Sequence, residues 1–237
     1  IYNERDRQSV RGQLFWSPND NVSTRLIGYY SLSDSNQGES EQDFAVGSDY
    51  WDYFTSLMSE PYPVSDPDDR EISFSQPQGG KVEVKGGSFQ IDYQMANDIT
   101  LTSISAYMEW EQDEVLIDAD SSTLEVLDLY RFVEEEVITQ EFRIVSPAGE
   151  TIEWLGGLYY FDSDMTLGSL DEDHPGYYIV GADGAGFGLG PEGDRSFVKN
   201  HFTAEMLAAF GQATWNISEE TSLTFGLRYS YEEKSFS

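Results

Sequence analysis

The chain has 237 residues, and its 13 Lys and Arg residues against 44 Asp and Glu residues give a formal net charge of −31 at pH 7. This balance argues against a nucleic-acid-binding surface, because Lys and Arg dominate phosphate recognition. The lack of cysteine excludes a disulfide scaffold, a cysteine-ligated zinc site and a thiol nucleophile. Aromatic residues make up 14% of the sequence, too many for a disordered acidic chain, so we expect a packed fold.

No run of the sequence approaches the roughly 18 apolar residues that a transmembrane helix needs. The first six residues contain no apolar core of the kind that a signal peptide carries. If this protein meets a membrane, we therefore expect it to do so as β-structure.

Side chains alternate between apolar and polar in four pairs of runs that are rich in Val, Ile, Thr and aromatic residues. Short turn sequences with Pro, Asn, Asp or Gly join the two runs of each pair. This pattern predicts an all-β fold with four antiparallel hairpins and about eight strands, at about residues 9–32, 88–110, 137–161 and 204–231.

Long connections separate the hairpins, at about residues 34–86, 113–136 and 162–201. Short turns that alternate strictly with long loops indicate an up-and-down meander, in which every long loop lies at the same end. The three loops carry 29 acidic and 6 basic residues, or −23 of the net charge of −31. We therefore expect charge to avoid the strands.

Strand length and facing favour a transmembrane barrel. Several runs reach ten to twelve residues, whereas transmembrane strands need about 9–11 and soluble strands cluster near five or six. In the last run, residues 223, 225, 227, 229 and 231 form an apolar face. By the same alternation, residues 102, 104, 106, 108 and 110 are predicted to form an apolar face in an earlier run. Aromatic residues near strand ends fit interfacial girdles: Trp16, Tyr30, Trp110, Trp215 and Tyr231.

The loops contain two stretches with the pattern of short helices, at residues 48–58 and 121–133. The first would place four aromatic side chains on one side, where they either pack against the loops or form a platform that contacts a ligand: Tyr50, Trp51, Tyr53 and Phe54. Acidic clusters at residues 66–69 and 171–173 fit solvated loops better than calcium sites. We find no catalytic motif, no metal site and no cofactor site, so we do not expect an enzyme.

Five segments resemble strands in the barrels of TonB-dependent outer-membrane receptors. They are residues 7–14 (RGQL at the end of the run), 139–147 (TQEFRIVSP), 154–161 (WLGGLYYF), 209–215 (AFGQATW) and 222–234 (SLTFGLRYSYEEK). The resemblance implies a 22-stranded barrel in the outer membrane of a Gram-negative bacterium, with an N-terminal plug domain inside it. It also implies energised uptake of a scarce nutrient, of the siderophore-iron, vitamin or oligosaccharide class.

Compared with the pattern of this family, the sequence predicts a partial barrel domain over residues 1–237, the middle portion of a longer receptor. No plug domain and no TonB-contacting segment can be recognised, so we expect TonB to act through a plug that is missing from this chain. The expected partners are outer-membrane lipid and a small-molecule or oligosaccharide ligand, and not nucleic acid.

For the lumen of such a barrel we expect a polar set of five side chains: Arg25, Gln140, Glu141, Arg143 and Arg228. The three arginines are candidates for ligand binding, and the alternative is that they form internal salt bridges. An acidic mouth disfavours anionic ligands by like-charge repulsion, although salt screens this repulsion over about 8 Å.

Two other architectures stay open at this point. A complete barrel of eight strands is a permitted size for an outer-membrane protein. A soluble all-β module whose acidic loops bind calcium or carbohydrate would show a similar alternation, because one face of its sheets would turn inward.

Overall fold

The protein is represented by a computed structural model that describes residues 4–36, 47–49, 52, 55–56, 79–118, 127–168, 177–179, 195–196 and 199–237. Within these residues the protein has ten strands, rich in the β-branched and aromatic residues that suit a pleated sheet. They are β1 (Arg5–Asn19), β2 (Val22–Ser35), β3 (Gly79–Gln94), β4 (Thr100–Asp118), β5 (Leu127–Val145), β6 (Ile152–Gly168), β7 (Tyr177–Ile179), β8 (Arg195–Ser196), β9 (Lys199–Ser218) and β10 (Thr221–Phe236).

Eight long strands form one antiparallel up-and-down sheet in the order β1-β2-β3-β4-β5-β6-β9-β10. The short strand β7 pairs with the loop end of β5 and with β8. This architecture confirms the predicted all-β meander of eight strands. Within the described residues β1 pairs only with β2 and β10 only with β9, so the sheet is open. A closed barrel of eight strands, one of the two other architectures considered from the sequence, is therefore not the arrangement observed.

The strands extend beyond the predicted limits of the hairpins. β3 begins at Gly79, β4 continues to Asp118, and β5 begins at Leu127, so the ladders run into segments that the sequence assigned to loops. These extensions contain many of the acidic residues, Glu83 and Glu136 among them. The expectation that charge avoids the strands is therefore wrong.

Residues with positive φ angles and local hydrogen bonds stabilise the short turns. In the β3–β4 turn, Asp98 has a φ of 60°, which short polar residues tolerate, and its N–H donates to the Met95 carbonyl at 3.0 Å. In the β5–β6 turn, Gly149 has a φ of 83° and its N–H donates to Glu153 Oε1 at 2.6 Å. Because these turns fix where pairing starts, they also fix the register of each hairpin.

Part of the predicted helix at residues 48–58 is described. Asp49, Asp52, Thr55 and Ser56 are helical, and the N–H of Asp52 donates to the carbonyl of Ser48 at 2.9 Å. The four aromatic candidates Tyr50, Trp51, Tyr53 and Phe54 lie outside the described residues, as do 66–69, 121–126 and 171–173. The second predicted helix, at residues 121–133, is wrong in its described part, because residues 127–133 belong to strand β5. Among the residues that are described, no helix has the length and apolarity to cross a membrane.

The sheet has two faces with different chemistry. Partners in antiparallel register point to the same side and neighbours along a strand point to opposite sides. Arg25, Arg143 and Arg228 lie on one side, here called the arginine face. The other side, the apolar face, carries large side chains on every long strand: Leu14, Leu26, Phe89, Leu101, Phe142, Leu158, Leu207 and Leu227.

Two glycines make room for aromatic rings on the arginine face. A Cβ on Gly157 would overlap Cζ of Phe210 and lie 2.8 Å from the Phe142 carbonyl oxygen. A Cβ on Gly86 would lie 2.5 Å from the Tyr107 carbonyl oxygen and 2.6 Å from the Tyr29 hydroxyl. Each ring therefore lies over the bare backbone of the glycine in the next strand, a cross-strand packing that any side chain would displace.

We predict that Gly157→Ala destabilises the protein by about 1–3 kcal/mol, because both a ring and a backbone oxygen would have to move. Gly156→Ala is the matched control, since its Cβ would meet Ile144 Cγ2 and the Phe210 carbonyl at an ordinary 3.8 Å. Urea unfolding of the full-length protein, followed by tryptophan fluorescence, measures the difference. Equal stability of the two variants would contradict the packing.

A second pair tests the same packing in β3. Gly86→Ala should cost about 1–3 kcal/mol because the nearest atom is a backbone oxygen that cannot rotate away. Gly28→Ala should change stability by no more than about 0.5 kcal/mol, since nothing lies within 4 Å of its Cβ. The same unfolding measurement applies, and a larger loss for Gly28→Ala would refute the role assigned to Tyr29.

Candidate functional site

The predicted arginines share one face but do not touch. Arg143 and Arg228 occupy the same register row, since Arg143 pairs with Gly157, Gly157 with Phe210, and Phe210 with Arg228. Three strand spacings of about 4.8 Å separate their backbones by about 14 Å. Arg25 lies on β2 in the neighbouring row, in register with Gln90. The three side chains therefore line a surface instead of converging on one point.

Arg143 is held by an internal ion pair. Its Nε donates to Glu141 Oε1 at 2.8 Å, and Nη2 donates to the same oxygen. The two residues are separated by one position in β5 and lie on the same face, which brings their side chains together. The pair is partly exposed, with 40% and 22% of the two side chains accessible, so its net contribution to stability is small.

Aromatic rings position Arg228. Its guanidinium carbon lies 5.7 Å from the centre of the Tyr159 ring and 5.9 Å from that of Phe210. Its Nε donates to Ser230 Oγ at 3.0 Å. Contacts of this kind hold a cation against the sheet without neutralising it. The sequence did not single out Phe210 or Tyr159, although their register with Arg228 and Glu141 is what brings them here.

A fixed carboxylate lies near Arg25. Asp92 accepts one hydrogen bond from Gln90 Nε2 and one from Thr102 Oγ1, each at 2.7 Å. Gln90 is the register partner of Arg25, so Asp92 is one row away. Within the described part of the chain Arg25 itself has no hydrogen-bond or ion-pair partner.

Gln140 is not part of the arginine face, contrary to the prediction. It neighbours Glu141 in a regular strand, and adjacent strand residues point to opposite sides. On the apolar face its Oε1 accepts a hydrogen bond from Ser105, and its Nε2 donates to Ser103 Oγ at 3.1 Å. These three polar side chains satisfy one another among apolar neighbours.

The faces of β4 are also the reverse of the prediction. Residues 102, 104, 106, 108 and 110 lie on the arginine face, because Thr102 pairs with Arg143 and Ile104 with Glu141. Trp110 therefore does not belong to a girdle on the apolar face, where Trp16, Tyr30, Trp215 and Tyr231 do lie. Ser103 and Ser105 on the apolar side obscured the alternation.

Three more arginines, which are not among the predicted lumen residues, lie on the arginine face of β1: Arg5, Arg7 and Arg11. The signal was present, because Val10, Leu14 and Trp16 mark the opposite phase of the same strand. The acidic residues of β1 and β2, Asp6 and Asp34, are register partners on the apolar face. Alternation therefore keeps these acids away from the arginines.

On the apolar face a line of charged residues limits the apolar side chains at the loop end of the sheet. Lys85, Glu109 and Glu136 share one register row, while Asp162, Glu205 and Glu233 share another row closer to the short turns. On β2 the first charged residue is Asp34, farther toward the loops. From β2 to β10 the charged line therefore moves stepwise from the loop end of the sheet toward the short turns.

Tyrosine hydroxyls join the apolar side chains to the charged line. Tyr30 donates to Glu83 Oε2 at 2.9 Å, and Tyr107 donates to Glu109 Oε2 at 3.1 Å. Tyr160 donates to Glu205 Oε1 at 3.1 Å and approaches Asp162 Oδ2 at 3.3 Å. Each ring thus lies among apolar residues while its hydroxyl reaches polar groups, the arrangement of aromatic residues at an apolar–aqueous boundary.

Near the charged line and beyond it toward the loops, the arginine face of β3 to β10 becomes mostly apolar, although it also carries Glu135, Glu232 and Lys234. Register places the following residues there: Val82, Val84, Met108, Trp110, Val133, Val137, Phe161, Met165, Phe202, Met206 and Phe236. Phe202 and Phe236 stack with ring centres 4.8 Å apart. The two faces thus exchange their chemistry near the line.

No group of three or more His, Asp or Glu side chains among the described residues is arranged to hold a metal ion. Nδ1 of His201 lies 3.4 Å from Asp164 Oδ1 near the charged line, and both side chains are exposed. Within the described residues, the candidate side chains of the arginine face are therefore spread along a surface.

Comparison with known proteins gives the fold. No protein-family model and no curated protein sequence matches the chain. Among solved structures, the ferric yersiniabactin uptake receptor FyuA from Yersinia pestis is similar over 98% of this chain and 30% of its own, with a TM-score of 0.64 and 13% identity.

Two receptors from Acinetobacter baumannii are similar as well. The ferric preacinetobactin receptor BauA matches over 100% of this chain and 35% of its own, with a TM-score of 0.55 and 12% identity. The siderophore receptor PiuA matches over 97% and 39%, with a TM-score of 0.52 and 11% identity. This chain therefore spans about a third of the length of these receptors, and at such low identity the likeness establishes a shared sheet architecture.

Proposed function

We propose that this chain is a portion of the barrel of a TonB-dependent outer-membrane receptor that takes up a ferric siderophore. The observation that carries the proposal is the apolar face, which is exposed on all eight long strands and ends at a charged line. The fold similarity to siderophore receptors supports it. In this reading the apolar face meets lipid, and the arginine face lines the lumen.

The slope of the charged line fits strands that cross a bilayer at an angle. From Asp34 on β2 to Glu233 on β10, the first charged residue moves by six residues along the register, over six strand-to-strand steps. Six residues are about 20 Å long and six steps about 29 Å wide, which gives a tilt of about 35°. Transmembrane barrels have strand tilts of about 35–45°.

The exposure of the apolar face argues against a soluble module. Leu158 and Leu207 are each 60% exposed and Leu227 is 82% exposed, although they lie in the middle of long strands. A water-soluble sheet of this kind buries its apolar face under a second layer. No such layer covers it in the described part of the structure, whereas lipid would replace one.

In the proposed receptor the long loops surround an extracellular mouth. The aromatic candidates Tyr50, Trp51, Tyr53 and Phe54 would contact the ligand there, and Arg25, Arg143 and Arg228 would line its path. TonB would act through a plug domain outside this chain, driven by the proton gradient of the inner membrane. Ferric siderophores are proposed as substrates because the three similar structures are siderophore receptors.

The facing of β10 can be tested with spin labels on single cysteines, since the chain has none of its own. We predict that labels at Leu227→Cys and Tyr229→Cys in the reconstituted full-length protein collide with oxygen, which concentrates in lipid. Labels at Gly226→Cys and Ser230→Cys should collide with a water-soluble nickel chelate. Power-saturation electron paramagnetic resonance measures both collision rates.

The soluble alternative predicts a different pattern, because its apolar face would be covered by protein. Labels at residues 227 and 229 would then be shielded from both collision partners, and the protein would stay in solution without detergent. Either result would overturn the membrane assignment.

Transport is tested in cells. A Gram-negative strain without its own siderophore receptors, expressing the full-length protein, should accumulate radioactive iron from at least one ferric siderophore, with ferric yersiniabactin and ferric preacinetobactin tried first. Deleting TonB should abolish the accumulation, because uptake depends on energy from the inner membrane. Accumulation that persists without TonB would contradict the proposed mechanism, and a protein that transports no ferric siderophore would contradict the substrate class.

A further inference from the structure

The arginines of β1 and β2 form a charged column, and the proposed function assigns a role only to Arg25 among them. Arg5, Arg7 and Arg11 lie on the arginine face of β1, and Arg25 lies on the same face of β2. Arg25 is in register with Phe15, so four cations follow one another along the same edge of the sheet. This group is called the arginine column below.

The column has almost no internal compensation. Arg5 Nε donates to Ser33 Oγ at 3.1 Å, but this hydroxyl carries no charge. Arg7, Arg11 and Arg25 make no hydrogen bond or ion pair in the described part of the chain. Guanidinium groups keep their charge at all physiological pH values, so the column presents about four positive charges.

Alternation keeps the acids of strands β1 and β2 off the face that carries the column. Asp6 lies between Arg5 and Arg7 in sequence, yet it points to the apolar face and is in register with Asp34 there. Among the described residues of the arginine face, the acid nearest to Arg25 is Asp92 of β3, which already accepts two hydrogen bonds. Elsewhere on this face Arg143 has Glu141 as an acidic partner, whereas Arg228 contacts two aromatic rings and a serine hydroxyl.

We propose that the arginine column binds the anionic groups of the transported substrate, which would be a small molecule with at least two carboxylate or phosphate-like groups. The inference rests on the proposed function, because it requires the arginine face to line the lumen. Arg7 and Arg11 are separated by four residues, or about 13 Å, and Arg11 and Phe15 by the same distance. Such spacing offers successive positions for an anion along the path, and each guanidinium can bind a carboxylate with two parallel hydrogen bonds.

The test uses the full-length protein purified in detergent, with citrate and inorganic pyrophosphate as probes in isothermal titration calorimetry at low salt. The wild type is expected to bind both anions, and the double variant Arg7→Gln/Arg11→Gln to bind them about tenfold more weakly or not at all. The control Lys81→Gln/Lys85→Gln removes two positive charges from the apolar face of β3 and should bind like the wild type. Raising the salt concentration should weaken binding to the wild type.

Three outcomes would overturn the proposal. They are no binding by the wild type, unchanged binding by the arginine variant, and an equal loss in the lysine control, which would indicate a general effect of charge. If an acidic part of the same protein occupies the column instead, the wild type will not bind the probes and the arginine variant will unfold at lower urea concentration than the control.

Iron accumulation separates this inference from the proposed function. If wild-type cells accumulate iron from an anionic ferric siderophore and the arginine variant does so equally well, the column is not a binding site while the transport function stands. If wild-type cells accumulate no iron from any ferric siderophore, the proposed function fails whatever the calorimetry shows.

Discussion

Two-residue alternation, held across seven consecutive antiparallel pairings, decides which side chains share a surface in this protein. The irregularities in pairing lie near strand ends, between Trp16 and Asn19 and between Gln112 and Val115 for example, and the central rows stay in register. A slip of one residue in any strand would send its leucines to the arginine face and its arginines to the apolar face. The turns with Asp98 and Gly149 therefore matter for function as well as for folding.

The same alternation continues past the charged line, but the chemistry of the two faces is exchanged there. Met108 and Trp110 lie on the arginine face of β4, while Glu109 on the other face bonds Tyr107 and Lys85. Such an exchange is expected where strands leave an apolar solvent and enter water, since outward side chains must then be polar. In the proposed barrel, the charged line would mark the edge of the apolar part of the membrane.

The sequence predicted the parts of the fold in which apolar and polar residues alternate strongly. The last strand is an example, since Leu223 to Tyr231 read correctly as one face. Prediction from alternation failed where one face of a strand carries both apolar and polar side chains. In β4 the polar Ser103 and Ser105 lie on the apolar face while Ile104 and Met108 lie on the arginine face, so assigning all apolar residues to one face reversed the prediction for this strand.

Prediction of the site was limited by register, which one strand alone does not contain. Arg228 contacts the rings of Tyr159 and Phe210, which belong to two other strands. These contacts can be predicted only when the pairing of the strands is known. Gln140 and Glu141 could have been separated from sequence, because adjacent strand residues cannot face the same side. The strand extensions were missed because their acidic residues resemble loop sequence, although backbone pairing does not depend on the charge of outward side chains.

Net charge was a weak guide to the wall of the proposed lumen. A total of −31 suggested repulsion of anions, yet the acids of β1 and β2 point away from the arginine column. Screening limits the repulsion from distant acids to about 8 Å at physiological salt, whereas a guanidinium in contact with an anion adds directional hydrogen bonds. An anion that reaches β1 would therefore respond to the nearest cations, and the acidic loops would affect how fast it arrives more than how tightly it binds.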